Sequence, residues 1–217
     1  MNQLKLYSYF RSSAAYRVRI ALNLKSVPHE IVPVHLLRDG GEHLRAEYRA
    51  LNPQGRVPAL AVGADVLVQS PAILEWIEET YPEPSILPGN ALQRAHVRAM
   101  AATICCDITP LQNLGVQKWL KSEFNATPAQ MSAWLSHWMG EGFAALESMM
   151  AKTAHGAAFC CGPLPTLADI CLVPQVFAAR RFAVPLESYP RILAVVEACD
   201  ALPAFQKAAP HAQIDAE

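Results

Sequence analysis

Apolar and polar positions change their period along this chain, and the change divides it into two parts. Leu4, Leu6, Tyr7 and Tyr9 mark a short strand, after which Val18, Ala21 and Leu22 recur at the i, i+3, i+4 spacing of one helix face. His29 to Val34 reads as a second strand and Glu42 to Arg49 as a short helical segment. Pro58 to Val62, the turn Gly63-Ala64-Asp65 and Val66 to Val68 predict a β-hairpin. Ser70 opens the next helix, Pro71 suits its first turn, and Ile73, Leu74 and Ile77 keep one apolar face until Tyr81-Pro82 ends it. The order is βαβ followed by ββα.

Beyond Pro82, Pro84, Pro88 and Gly89-Asn90, the pattern is helical throughout. Helices are predicted from Ala91 to Asn113, Gln117 to Glu123, Pro128 to Lys152, Thr166 to Ala179 and Tyr189 to Cys199. The expected organisation is therefore a mixed α/β domain over 1–83, a linker over 84–90 and an all-helical domain over 91–217. Trp134, His137 and Trp138 share a helix face, a spacing that packing against a core or a neighbouring helix explains. Thr166 followed by Asp169 has the spacing of a capping box and is assigned to folding.

Composition narrows the class. Hydrophobic residues at 52% against 17% charged exclude a disordered chain, and every apolar run stops short of the roughly 18 residues a membrane span needs. The opening residues show no basic segment followed by an apolar core, so the expectation is the cytoplasm. A net charge of −1 with no sustained basic stripe argues against nucleic acid as a partner. The six cysteines include no C-x-x-C pair and the seven histidines no H-x-H or H-E-x-x-H, so no metal site is predicted. The cysteines read as small core residues held as thiols in a reducing compartment.

Three places carry candidate chemistry. Ser12-Ser13 falls where the first strand hands over to the first helix, a position that offers unpaired N–H groups, a partial positive charge and a hydroxyl. Taken alone, an ordinary serine cap is the simpler explanation. Val57-Pro58 leads into the hairpin, and a proline there demands a cis bond or a sheet edge. A cis bond would turn the backbone groups of Val57 outward, ready to pair with an extended peptide. Gln69-Ser70 stands at the next helix start, where amide, hydroxyl and backbone N–H can grip a carboxylate and an amine, or simply cap the helix. In this order the three describe a site for a small anionic peptide carrying a thiol. Sulfur would meet the first helix start, Val57 the peptide backbone, and Gln69-Ser70 the terminal carboxylate.

Four blocks carry a resemblance: Tyr7 to Leu22, Asn52-Pro53-Gln54-Gly55-Arg56-Val57-Pro58-Ala59-Leu60, Gln69-Ser70-Pro71-Ala72-Ile73, and Thr166 to Gln175. Together they closely resemble the zeta class of glutathione transferases, the maleylacetoacetate isomerase family, over nearly the whole chain. The resemblance implies a thioredoxin-like α/β domain followed by an all-α domain, the glutathione transferase fold, in a homodimer. It implies glutathione as cofactor and Ser12 as the hydroxyl facing its sulfur, with Ser13 beside it. Glutathione contacts are implied for His43, Val57, Gln69, Ser70, Thr109 and Asn113. His43 and Thr109 stand where glutamine is commoner in the animal enzymes, and Ala14 where the family usually has cysteine, so activation here uses no protein thiol at that position.

The implied reaction is cis–trans isomerisation of maleylacetoacetate to fumarylacetoacetate in tyrosine and phenylalanine breakdown. A thiolate adds to the conjugated cis bond, the bond rotates, and the thiolate leaves. A free thiol of pKa about 8.5 is only slightly ionised at neutral pH, so the site must stabilise the thiolate. The substrate is a dianion, which calls for fixed positive charge: Arg11 is one candidate, and Arg181 matches a family arginine that resembles a carboxylate anchor. Arg180 is expected to point elsewhere. Isomerisation of maleylpyruvate and general conjugation or dehalogenation are the alternative activities, and a non-catalytic scaffold is disfavoured by the retained serines.

Overall fold

The computed structural model describes residues 3–153 and 156–217, and contacts divide the chain into two compact units. The first runs to Ser85 and is rejoined by Ala201–Glu217; the second is Ile86–Asp200. The sequence pattern assigns residues 201–217 to the helical domain, whereas the contacts place them in the first unit. Their return to the first unit rests on α9, Pro203–Ala208, which packs on α1, Ser13–Leu24. Asn23 Nδ2 donates to Ala204 O at 3.1 Å and Arg19 Nε to Ala208 O at 2.9 Å.

In the first unit β1, Leu4–Ser8, lies inside a four-stranded sheet of order β2-β1-β3-β4. β2, His29–Pro33, runs parallel to β1, with Leu6 opposite Ile31. β3, Ala59–Val62, and β4, Asp65–Val68, form the antiparallel hairpin the alternation predicts, with Leu6 also opposite Leu60. β1 alternates as half-buried surfaces require: Leu4, Leu6 and Ser8 point inward, while Lys5 meets Glu30 at 3.4 Å on the outer face. Between β2 and β3 the expected helical segment is two 3₁₀ turns, Arg38–Gly40 and Glu42–Leu44, and a short α2, Ala46–Leu51. The unit's third helix, α3, is Ser70–Thr80.

α1 buries Ala21 together with Val18, Ile20 and Leu22, and each of these last three contributes about 1.5–3 kcal/mol when fully removed from water. It also buries Arg17 and Arg19, which periodicity alone does not predict. Behind α3, Lys25 Nζ meets Glu78 at 2.7 Å and the carbonyls of Tyr81 and Pro84 at 2.5 and 2.8 Å, so a buried cation closes the end of that helix.

The second unit holds α4, Ala91–Ala102; α5, Leu114–Phe124; α6, Pro128–Thr153; α7, Leu167–Arg181; and α8, Pro190–Asp200. The predicted helix from Ala91 to Asn113 is broken. After α4 it continues as a π-helical segment, Thr103–Ile108, and then turns before Asn113 caps α5. A Cβ on Gly142 of α6 would lie 2.3 Å from Ile108, so glycine permits the close approach of α6 to this segment. α7 is buried along nearly its whole length. Asp169 Oδ2 accepts the Thr166 N–H and O–H, both at 2.7 Å, and Oδ1 accepts the Cys160 N–H at 2.8 Å. Of the aromatic face on α6, Trp134 donates to Leu111 O at 2.8 Å, but His137 is exposed beside Glu141. No described helix is long and apolar enough to cross a membrane.

Candidate active site

Ser12 adopts an extended conformation and caps α1: its Oγ accepts the Ala15 N–H at 3.2 Å, and its own N–H donates to Tyr9 O at 2.9 Å. A hydroxyl has one proton and two lone pairs, and the cap uses a lone pair. Among the described residues the proton has no acceptor, so this half-buried O–H is left to donate to an anion at the helix start. Ser13 is the first residue of α1 and is also half-buried. Arg11, before them, lays its guanidinium 4.7 Å from the centre of the Phe10 ring.

The Val57-Pro58 peptide is cis and leads into β3, which lies inside the sheet between β1 and β4; of the two predicted options the edge is excluded. The Val57 side chain packs with Tyr9, Phe10, Val34 and Tyr48, while its backbone N–H and C=O have no hydrogen-bond partner among the described residues. Its position is set one residue earlier. Arg56 O accepts both the Tyr48 hydroxyl and the Asn52 Nδ2, each at 2.7 Å, and Asn52 also takes the Gln54 and Gly55 N–H groups. Burial of Tyr48 pushes its phenol well above the ordinary range, so it stays a donor.

Gln69 opens α3 at φ 69°, a left-handed conformation that is strained for a side chain with a Cβ and typical of positions held for function. Its Nε2 donates to Gln54 Oε1 at 2.6 Å, which ties the Val57 turn to the start of α3. Ser70 is buried, and its Oγ accepts from Arg17 Nη1 at 3.3 Å. Arg17 thus brings a buried positive charge to a helix N-terminus, two features that favour the same anion. His43 lies in the second 3₁₀ turn; a Cβ on Gly41, at φ 112°, would come 2.4 Å from its ring, so that turn needs glycine.

The remaining candidates belong to the second unit. The Thr109 hydroxyl lies 2.8 Å from Ile104 O and 3.2 Å from Gln175 Oε1, directed inward. Gln112 and Gln175 exchange two amide bonds at 2.9 and 2.8 Å in the core, fixing the turn to α7. Asn113 Oδ1 caps α5 through Gly115 N–H at 2.9 Å, which leaves Nδ2 as a donor. Arg181 is exposed in the last turn of α7 and stacks on Phe182 at 4.4 Å, whereas Arg180 acts on Asp200, where it counters the upward push of burial on that carboxyl. Of the cysteines, Cys160, Cys171 and Cys199 are buried as expected, but Cys106 is exposed. Burial pushes Cys161 up to about 11 and Cys160 well above its ordinary value, so neither supplies a thiolate at neutral pH. Among the described residues no group of three His, Cys, Asp or Glu side chains could hold a metal ion.

A model of the glutathione S-transferase N-terminal domain matches residues 6–85, the part that holds Ser12, Val57 and Gln69. A maleylpyruvate isomerase of Ralstonia sp is 50% identical over 98% of this chain and 99% of its own length. A maleylacetoacetate isomerase of Pseudomonas aeruginosa is 47% identical over 98% of both. A holo structure of a maleylpyruvate isomerase, described as a bacterial zeta-class glutathione S-transferase, superposes with a TM-score of 0.95 at 50% identity, covering 98% of this chain and 100% of that one. This chain belongs to the zeta class of glutathione transferases. Within that class, a maleylacetoacetate isomerase structure from Anaeromyxobacter dehalogenans has glutathione bound in its active site; it is 43% identical, with a TM-score of 0.87 over 99% of this chain and 98% of that one.

For this transferase, Asn52, Arg17 and Gln175 stand in the sequence only inside motif blocks, with no role of their own, and Tyr48 stands in none. A polar side chain two residues before a turn residue is a weak local sign for Asn52. The others are set by packing between distant segments, which spacing does not report.

Proposed function

We propose that this protein is a glutathione-dependent cis–trans isomerase that converts maleylacetoacetate to fumarylacetoacetate in aromatic amino acid breakdown. The reading rests on the gathering, on one unit, of a capping serine with an unused proton, a residue whose backbone groups lack partners among the described residues, and a strained helix start backed by a buried arginine. These fit a tripeptide: Val57 can pair with its backbone, Gln69 and the Ser70 N–H can meet its terminal carboxylate, and Ser12 can donate to its sulfur. When bound, glutathione supplies the thiolate that adds to and leaves the conjugated double bond.

The protein's own part is to bind, orient and hold charge. Ser12 and the α1 N-terminus stabilise the anionic sulfur, with Ser13 as its neighbour; a depression of one pKa unit needs about 1.4 kcal/mol, within reach of one charge-assisted hydrogen bond. His43 and the Nδ2 of Asn113 are assigned to glutathione, and Thr109, whose hydroxyl faces inward, to the shape of its turn. Arg11 and Arg181 are assigned to the carboxylates of the substrate: each lays its guanidinium against a neighbouring phenylalanine ring, and a planar cation suits bidentate pairing with a carboxylate.

Maleylpyruvate is the second substrate to test, because relatives named for either activity are about equally similar, at 50% and 47% identity. An ultraviolet assay of both maleyl compounds, with and without glutathione, is the test. Turnover that depends on glutathione supports the reading; equal turnover without it contradicts it. The family resemblance also supports a homodimer in the cytoplasm, checked by light scattering and cell fractionation.

A further inference from the structure

The loop that presents Ser12 is held on both sides by groups outside the glutathione-contacting set. Arg19, almost completely buried, spends its guanidinium on this loop: Nη1 donates to Ser8 Oγ at 2.9 Å and Tyr9 O at 3.4 Å, and Nη2 to Phe10 O at 3.0 Å. Tyr9 O is also the acceptor of the Ser12 N–H. From the other side Asp215 Oδ2 accepts the Phe10 N–H at 3.0 Å, while Oδ1 is buried with no hydrogen-bond partner among the described residues. Burial lowers the Arg19 guanidinium to about 10, against the opposing pull of Tyr16 and Asp215, and the Arg19 guanidinium and the Asp215 carboxyl group flank the Tyr9-Phe10 backbone. Two residues on, Glu217 reaches the other loop: Arg38 Nη2 donates to its Oε1 at 2.9 Å, and His35 Nε2 lies 3.3 Å from it. His35 Nδ1 accepts the Leu37 and Arg38 N–H groups, which puts the proton of a neutral ring on Nε2, facing Glu217.

We infer that the tail residue Asp215, acting with Arg19 through the Tyr9-Phe10 backbone, is a positioning residue for Ser12, and that Glu217 braces the His43 loop more weakly. A helix cap alone leaves the residues before it free to move; the Ser12 hydroxyl can aim at one sulfur only if its own N–H partner, Tyr9 O, is fixed. Arg19 fixes that carbonyl, and Asp215 fixes the N–H of the same peptide from the opposite side. The Glu217 contacts are half-exposed and screened, so their share is small.

The inference rests on the glutathione reading, and its test separates the two. Asp215→Ala, Asp215→Asn and Glu217→Ala are compared with wild type by amide hydrogen exchange of the Phe10–Ser12 stretch, by the pH titration of bound glutathione thiolate in the ultraviolet, and by kcat and KM. For Asp215→Ala, exchange at Phe10–Ser12 should rise roughly tenfold. The thiol titration should move back toward that of free glutathione, and kcat should fall roughly ten- to a hundredfold with a smaller change in KM. Asp215→Asn, which keeps an oxygen for the Phe10 N–H, should recover most of this, and Glu217→Ala should change kcat less than threefold. A lower melting temperature with unchanged exchange and thiol titration would reduce Asp215 to a structural role and overturn the inference. Wild type that binds no glutathione would sink the functional reading itself, whereas the exchange result reports on the brace whichever ligand the loop serves.

Discussion

Two helix caps in this protein share a sequence logic and differ in what their hydroxyl does with its proton. Ser12 accepts the Ala15 N–H and keeps its proton; Thr166 gives its proton to Asp169 Oδ2 in a wholly buried network. A cap with every group matched inside the protein is a folding element. One with an unused donor at a half-exposed helix start fits the binding role proposed for Ser12, although both begin as a hydroxyl before an apolar-periodic run.

Substitutions sharpen that contrast, beginning with the largest effect. Asp169→Ala strips the buried Thr166 and Cys160 N–H groups of their acceptor and should cost about 3–5 kcal/mol, more than a simple cap. The expected fall in melting temperature is on the order of 10 °C, read by calorimetry, with turnover per folded molecule unchanged. Ser12→Ala should do the reverse: about 1 kcal/mol or less of stability but roughly a hundredfold loss of kcat/KM. Should Asp169→Ala abolish turnover in folded protein, or Ser12→Ala leave it intact, the two caps would not differ in kind.

Gln175→Leu is intermediate. It leaves the Gln112 amide unmatched in the core and should cost about 2 kcal/mol, part of which the double change Gln112→Leu/Gln175→Leu restores in a thermodynamic cycle. Ser13→Ala should have the smallest effect, less than about threefold on kcat/KM, since the Ser12 proton suffices for one sulfur; a loss equal to that of Ser12→Ala would move the donor role to Ser13.

Much of this was legible in the sequence because it is local. The hairpin, the serine cap, the proline at Val57-Pro58 and the Thr166–Asp169 box all depend on residues within a few positions of each other. What stayed hidden depends on distance. Arg17 and Arg19 look like solvated positions on an amphipathic helix until Ser70, Ala208 and the Tyr9 and Phe10 carbonyls surround them. The alanine-rich tail has no period to announce its return to α1, and the π-helical break after Ala102 falls inside a run whose spacing reads as one helix. Asn52 and Tyr48 act on Arg56 O, a backbone atom that no residue pattern marks.

In the proposed mechanism the free proton of the Ser12 cap stabilises a thiolate. The most direct test is the ultraviolet titration of glutathione bound to wild type and to Ser12→Ala across neutral pH. The bound thiol should ionise at least one pH unit below free glutathione, whose thiol pKa is about 8.5, and should return toward that value in Ser12→Ala. Identical titrations in the two proteins would contradict it.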